Sequence, residues 1–265
     1  MFWAELFAGA NGAELSLSLP FDPVRTRAIL LDIEGTTTPI SFVYRTLFPF
    51  AAAHVEEFLE RHSSDREVSD VVEQLRLQRE ADSRNIADLP PWSDASLTQR
   101  LHSAAAYVRY LIERDSKMTA LKSLQGKIWQ AGYRAGQLRG EVYQDVAPGF
   151  IRWHAHGRRI AIFSSGSILA QQLLFRHSSA GDLTELLSAY FDTNTGSKRA
   201  TKSYRDIAAA LSVTPGEIVF LSDTAAELDA AHAAGMQTAL SLRPEVKQPA
   251  ELAHPFIATF DEVFP

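Results

Sequence analysis

The clearest pattern along the chain is a short apolar run that stops at a carboxylate. RAILLDI, residues 27–33, is rich in branched apolar residues and passes into the turn-forming stretch EGTTTPI, with Gly35 and Pro39. This predicts a buried parallel strand followed by a turn. From about Leu47 to Leu138 the periodicity changes. AAAHVEEFLERH, EVSDVVEQLRLQRE and SLTQRLHSAAAYVRYLIERD each place apolar residues three and four apart, which predicts amphipathic helices. LPPW, with Ser93 and Asp94, separates the second from the third. Ser116 to Leu138 predicts a further helical stretch, with Gly126 and Gly132 as candidate break points. Apolar stripes on neighbouring helices predict a compact helical insert packed on itself.

Strand patterns then return in RRIAIFSS, SAYFDT, GEIVFLSD and MQTALSL, separated by the helical stretches ILAQQLLFRH, KSYRDIAAAL and AAELDAAHAAG. Strands alternating with helices of this length predict an α/β fold, a doubly wound, Rossmann-like parallel sheet. The expected organisation is an N-terminal extension at 1–22, an α/β core built from 23–45 and 141–265, and the helical insert at 46–140. In such sheets ligands bind beyond the carboxyl ends of the strands. Three predicted strand ends carry polar clusters: Asp32 with Glu34, Ser164 with Ser165, and Asp223. One shared site is expected there.

Composition narrows the class. The 265 residues are 46% hydrophobic and 22% charged, ordinary for a soluble globular protein and enough for a core with an insert. A net charge of -6 argues against a broad nucleic-acid surface but leaves room for an anionic small substrate in a locally cationic cleft. The absence of cysteine excludes disulfides, thiolate zinc sites and cysteine nucleophiles, and is compatible with a cytoplasmic location. No apolar run approaches the roughly 18–20 residues of a membrane span. The first twenty residues carry Glu5 and Glu14 without a basic leader, and read as a peripheral extension rather than a signal peptide.

The polar clusters suggest chemistry. A carboxylate directly after a buried strand is costly unless paired, and a divalent cation would pair it. With an ordinary pKa of about 3.9, Asp32 would be ionised and available as a nucleophile. Glu34, two residues on, is placed to protonate a leaving oxygen and then activate water. The alternative is that both merely cap a turn. IFSSGS suits phosphate recognition by Ser165 and nearby backbone N–H groups at a helix start, but it is also an ordinary N-cap sequence. In TGSKRATKSY, Lys198 and Lys202 both qualify to neutralise Asp32 and a phosphate; the residues alone do not choose between them. Asp223 ends a strand where a second metal carboxylate would be wanted, or else caps the following helix. Glu227, a turn later, would support the metal shell or a cation. Oxygen donors beside a phosphate favour magnesium over zinc.

Taken together, LLDIEGTTTPI, DSKMTALKSLQGKIWQAGYRAGQLRGEVYQDV, IFSSGS, GSKRATKSYRDIA and FLSDTAAELDAAHAAGM resemble the haloacid dehalogenase-like superfamily, and within it the enolase-phosphatase E1 family of methionine salvage. The first motif of the superfamily is usually DxD. Asp32-Ile33-Glu34 departs from it in the way that the enolase-phosphatase signature does. The resemblance spans about Ala28 to Leu242. It implies a haloacid dehalogenase-type fold whose helical insert is a cap over the active site. It further implies that Asp32 accepts the phosphoryl group and ligates one Mg2+ together with Asp223 and Glu34, the last through its backbone carbonyl. The Glu34 side chain is then the candidate acid/base, Ser164, Ser165 and Lys198 bind substrate, and Lys198 is also catalytic.

The implied reaction enolises 2,3-diketo-5-methylthiopentyl 1-phosphate and then dephosphorylates it to 1,2-dihydroxy-3-keto-5-methylthiopentene. Glu34 and an unassigned cap residue are both candidates for the enolisation base, and LQGKIW is the candidate segment for substrate selection. A monomer without nucleic-acid or membrane partners is implied. The near alternative is a related phosphatase acting on another small phosphate ester. More distant ones are a metal-independent dehalogenase and a non-catalytic binding module.

Overall fold

A computed structural model of the protein describes residues 21–245 and 253–265; the expected N-terminal extension lies almost wholly outside them. The central strand is β1 (Ala28–Leu31), flanked by β2 (Arg159–Phe163) and β4 (Ile218–Ser222). With β3 (Ala189–Phe191), β5 (Gln237–Ser241) and β6 (Phe256–Ile257) they form one sheet in the order β3-β2-β1-β4-β5-β6, parallel throughout. Alternation along the strands explains why they read as continuous apolar runs. Ile29, Leu31, Ile160, Ile162, Val219 and Leu221 point to one face, and Ala28, Leu30, Ala161, Phe163, Ile218 and Phe220 to the other. Both faces are buried, as a parallel sheet with crossover helices requires.

The first face is covered by α6 (Val146–Ala155), through Val146, Phe150 and Trp153, and by α7 (Ile168–Arg176), through Leu174 and Phe175. The second is covered by α8 (Thr201–Ala210), through Tyr204 and Ile207, and by α9 (Ala225–Ala233), through Leu228 and Ala231. The helix α6 and the two-residue strand β6 lie in segments to which the sequence pattern assigned no element. Strand β6 is too short to show a period.

The helical segment has its own core. A short helix α1 (Ile40–Phe42) runs through a π-helical turn (Val43–Leu47) into α2 (Phe48–Arg61), so the helix begins earlier than its amphipathic pattern. It is followed by α3 (Arg66–Asp82), α4 (Leu97–Glu113) and α5 (Thr119–Arg134). Ala51, Val55, Leu59, Val71, Leu75, Leu101, Val108, Leu124 and Ile128 pack together at the three-and-four spacing of their helices. Asp65 caps α3 by accepting from the Glu67 amide at 2.9 Å, and Ser96 caps α4 by accepting from the Gln99 amide at 3.2 Å. Helix α5 is unbroken at both Gly126 and Gly132. Gly132 is instead a packing glycine: a β-carbon there would meet Phe50 Cζ at 2.5 Å.

Register places the site. Leu31 pairs with Ile162 on one side and Leu221 on the other. Asp32, Ser164 and Asp223 therefore leave the sheet along one edge, at the point where neighbouring connections depart to opposite faces.

Candidate active site

At the end of β1 the backbone turns back on itself. The amides of Thr36, Thr37 and Thr38 all donate to the Ile33 carbonyl, and Gly35 N–H donates to the Thr38 carbonyl at 2.8 Å. The turn needs a left-handed residue, and Gly35 supplies it with φ of +71°. Behind the turn the buried Arg243 guanidinium donates to the Thr36 carbonyl at 3.0 Å and to Asp145 Oδ2 at 2.7 Å, tying it to the start of α6. Nothing in the local sequence around Arg243 signals this role, because its partners lie 207 and 98 positions away.

Asp32 is buried and fully engaged. Its Oδ1 accepts from the Ile33 amide at 2.7 Å and from the Lys198 ammonium at 2.6 Å, and its Oδ2 accepts from Ser222 Oγ at 3.1 Å. Lys198 also pairs with Glu227 Oε2 at 2.6 Å, and Ser222 Oγ reaches the same carboxylate at 3.1 Å. Of the two lysines in TGSKRATKSY, only Lys198 reaches the site; Lys202 pairs with Asp206 on the exposed side of α8. Burial works against the Lys198 ammonium, but Asp32 and Glu227 outweigh it and hold its pKa above the usual lysine range. Burial, reinforced by the Asp32 charge, lifts the Glu227 pKa to about 7.

Asp223 does not cap the following helix. Thr224 occupies the N-cap position, and Asp223 Oδ1 accepts from its hydroxyl at 2.9 Å. The carboxylate lies hard against Gly35, and burial with the neighbouring Asp32 charge raises its pKa to about 6. The Glu34 side chain turns toward β2, where Ser164 Oγ lies 3.4 Å from Oε2. Burial and the Asp32 charge raise its pKa as well. Ser164 Oγ also accepts from the Gly166 amide at 3.1 Å, which shapes the IFSSGS loop.

These groups line one cavity of about 360 Å³. Asp32, Glu34, Ser164, Ser165, Lys198, Asp223 and Glu227 form its sheet end. The helical segment adds both apolar surface, from Val43, Leu47, Phe48 and Trp129, and polar groups, from Lys117, Lys122 and Gln125. Within LQGKIW, Gln125 and Trp129 face the cavity, and Trp129 is fixed by donating to the Leu47 carbonyl at 2.8 Å. Lys127 pairs instead with Glu67 of α3.

The donor set fits a hard divalent cation. Among the described residues no cluster of three or more His, Asp or Glu side chains forms a metal cage. Two neighbouring carboxylates, Asp32 and Asp223, share the site, and burial together with the Asp32 charge disfavours the ionised form of Asp223, which a bound cation would offset. Mg2+ is commonly held by one or two carboxylates, with waters and substrate oxygens completing its shell.

A haloacid dehalogenase-like hydrolase family model matches residues 26–235. The enolase-phosphatase E1 of Synechococcus elongatus is 50% identical over 222 residues, covering 84% of this chain and 91% of the relative. That of Sorangium cellulosum is 46% identical over 239 residues, covering 90% and 97%. The crystal structure of the UTR4 protein from Saccharomyces cerevisiae superposes with a TM-score of 0.70 at 32% identity, covering 89% of this chain and 99% of that one.

Proposed function

The chain belongs to the enolase-phosphatase E1 family of the haloacid dehalogenase-like hydrolases, and from that premise we propose how its residues divide the work. The protein is a phosphatase of methionine salvage. It converts 2,3-diketo-5-methylthiopentyl 1-phosphate to 1,2-dihydroxy-3-keto-5-methylthiopentene and phosphate. The observation that carries this reading is the mixed lining of the cavity. Its serines, carboxylates and lysines can take a phosphate and the adjoining carbonyls, and the side chains of Val43, Leu47, Phe48 and Trp129 can take a methylthioalkyl tail.

Asp32 is the nucleophile. Its hydrogen bonds to the Ile33 amide, Lys198 and Ser222 fix the direction of the carboxylate. Attack on phosphorus gives an aspartyl-phosphate while the ester oxygen leaves. Glu34 donates a proton to that oxygen, and its burial favours the protonated form this step requires. It then takes a proton from the water that hydrolyses the intermediate. Lys198 balances the charge gathered on the phosphoryl oxygens, and Glu227 keeps its ammonium aimed at them. Ser164, Ser165 and the amides of their loop bind the remaining oxygens.

Hydrolases of this family generally act with Mg2+. Asp32, Asp223 and the Glu34 carbonyl would hold one ion. When bound, it supplies positive charge against the phosphate. Uncatalysed phosphate-ester hydrolysis is slow enough to need accelerations of up to ~10²¹, so several such contributions are required.

Residues 46–140 act as the cap, and 23–45 with 141–265 as the catalytic core. Among the described residues no helix is long and apolar enough to cross a membrane.

The test follows enolate absorbance and phosphate release separately from the diketo substrate. An ultraviolet enolate signal that precedes or accompanies phosphate release is expected. Phosphate release from general esters with no enolate signal would favour the plain phosphatase.

A further inference from the structure

Three lysines line the cavity: Lys117, Lys122 and Lys198. Two are committed to carboxylates. Lys198 is held between Asp32 and Glu227, and Lys117 pairs with Asp115 at 2.6 Å near the mouth. Lys122, on the cavity side of α5, has no carboxylate partner among the described residues. Its Nζ instead donates to the Ser165 carbonyl at 3.0 Å, across from the helical segment to the loop that follows β2. An ammonium has three N–H donors and this contact uses one. The other two belong to a half-buried cation that lines the same space as Asp32 and Glu34.

We propose that Lys122 is the electrophile of the enolisation step, donating a hydrogen bond to the substrate carbonyl oxygen that becomes the enolate. The inference rests on the diketone-phosphate reading above. In the step, a carboxylate base, Glu34, removes a proton from the carbon bearing the phosphate ester. The C–H electron pair becomes the new carbon–carbon π bond, and the carbonyl π pair moves onto oxygen. That oxygen gains a negative charge absent in the ground state, so a donor aimed at it acts mainly on the transition state.

The location suits the task. The reacting carbonyl is bonded to the carbon that carries the phosphate, and Lys122 touches the backbone of Ser165, which lies in the phosphate loop. Lys198 is less suited, because two carboxylates already neutralise it and its place is at phosphorus. Burial, and then the nearby Lys117 charge, hold the Lys122 ammonium below the usual lysine pKa, which strengthens it as a hydrogen-bond donor. Lys122 comes from the helical segment and Glu34 from the end of β1, so enolisation draws its donor and its base from the two sides of the cavity.

The test separates the half-reactions. Enolisation is read by NMR as deuterium uptake from D2O into a phosphonate analogue of the substrate, in which a methylene group replaces the ester oxygen and no phosphate can leave. Dephosphorylation is read as phosphate release from p-nitrophenyl phosphate, which has no carbonyl to enolise. In Lys122→Met, exchange should fall by about 10²–10³, the usual effect of losing one oxyanion donor, and by at least tenfold more than p-nitrophenyl phosphate hydrolysis.

Lys122→Arg, which keeps a cationic donor, should recover a large part of the exchange. Equal losses in the two assays, or exchange undiminished in Lys122→Met, would overturn the assignment. So would an Arg variant no better than Met, since a specific donor should be partly replaceable. Wild-type protein that hydrolyses the ester but exchanges no proton would instead refute the enolase reading itself.

Discussion

The backbone of Gly35 and the carboxylate of Asp223 leave no room between them: a β-carbon at residue 35 would lie 2.4 Å from Asp223 Oδ2. The turn after β1 and the end of β4 are thereby locked together at the proposed metal site, and the same glycine carries φ of +71°.

Gly35→Ala therefore combines two penalties. The left-handed conformation costs an L-residue about 1–2 kcal/mol, and the added carbon displaces the Asp223 carboxylate. A lower unfolding midpoint is expected together with a Mg2+ requirement raised by at least about tenfold. Loss of stability with an unaltered magnesium requirement would show that Asp223 does not hold the ion.

Lys198→Ala should act on stability as well as on turnover. It leaves Asp32 and Glu227 buried without their shared cation, and removing one partner of a buried pair costs about 3–5 kcal/mol. Chemical denaturation of the metal-free variant should show that loss, and added Mg2+ should recover part of it. A metal-free variant as stable as the wild type would contradict the pairing of Lys198 with Asp32 and Glu227.

The Asp223 pKa, raised to about 6, makes magnesium binding compete with a proton. In the metal-free protein this group favours the folded state fully below its ordinary carboxylate pKa, and that contribution fades as pH rises through about 6. Magnesium affinity should run the other way, strengthening as pH rises through about 6 and weakening by about tenfold per pH unit below it. Calorimetric titration from about pH 5 to 8 measures the slope, and Asp223→Asn should flatten it. An affinity independent of pH across that window would remove Asp223 from the metal site.

The two glycines inside α5 should respond with opposite signs. At Gly126 a β-carbon would meet nothing closer than Leu169 Cδ2 at 3.5 Å, so Gly126→Ala should stabilise by about 0.5–1 kcal/mol through helix propensity. At Gly132 the same change drives into Phe50, and overpacking of about 1–3 kcal/mol should exceed the propensity gain. Urea unfolding of the two variants decides, and effects of the same sign would contradict the packing.

These glycines also mark where sequence reading ends. Periodicity exposed both strand runs and helical stripes, because burial of alternate or three-and-four residues is written locally. The strand-end carboxylates Asp32 and Asp223 were visible for the same reason. Contacts across the chain were not. Whether Gly132 breaks a helix or seats a ring depends on Phe50, 82 positions earlier, a relation no local window contains. The choice between Lys198 and Lys202 depended on which side of the turn before α8 faces Asp32. Nothing in the local sequence singles out Lys122 or Arg243. Both act through backbone carbonyls on distant segments, Ser165 and Thr36.

The central claim is that the Asp32 carboxylate attacks phosphorus and that water then displaces it. Two in-line displacements restore the original configuration. The stereochemical course at phosphorus, followed with a substrate whose phosphate is made chiral by oxygen isotopes, should therefore be net retention. Inversion would mean that water attacks the substrate directly, and Asp32 would not be the nucleophile.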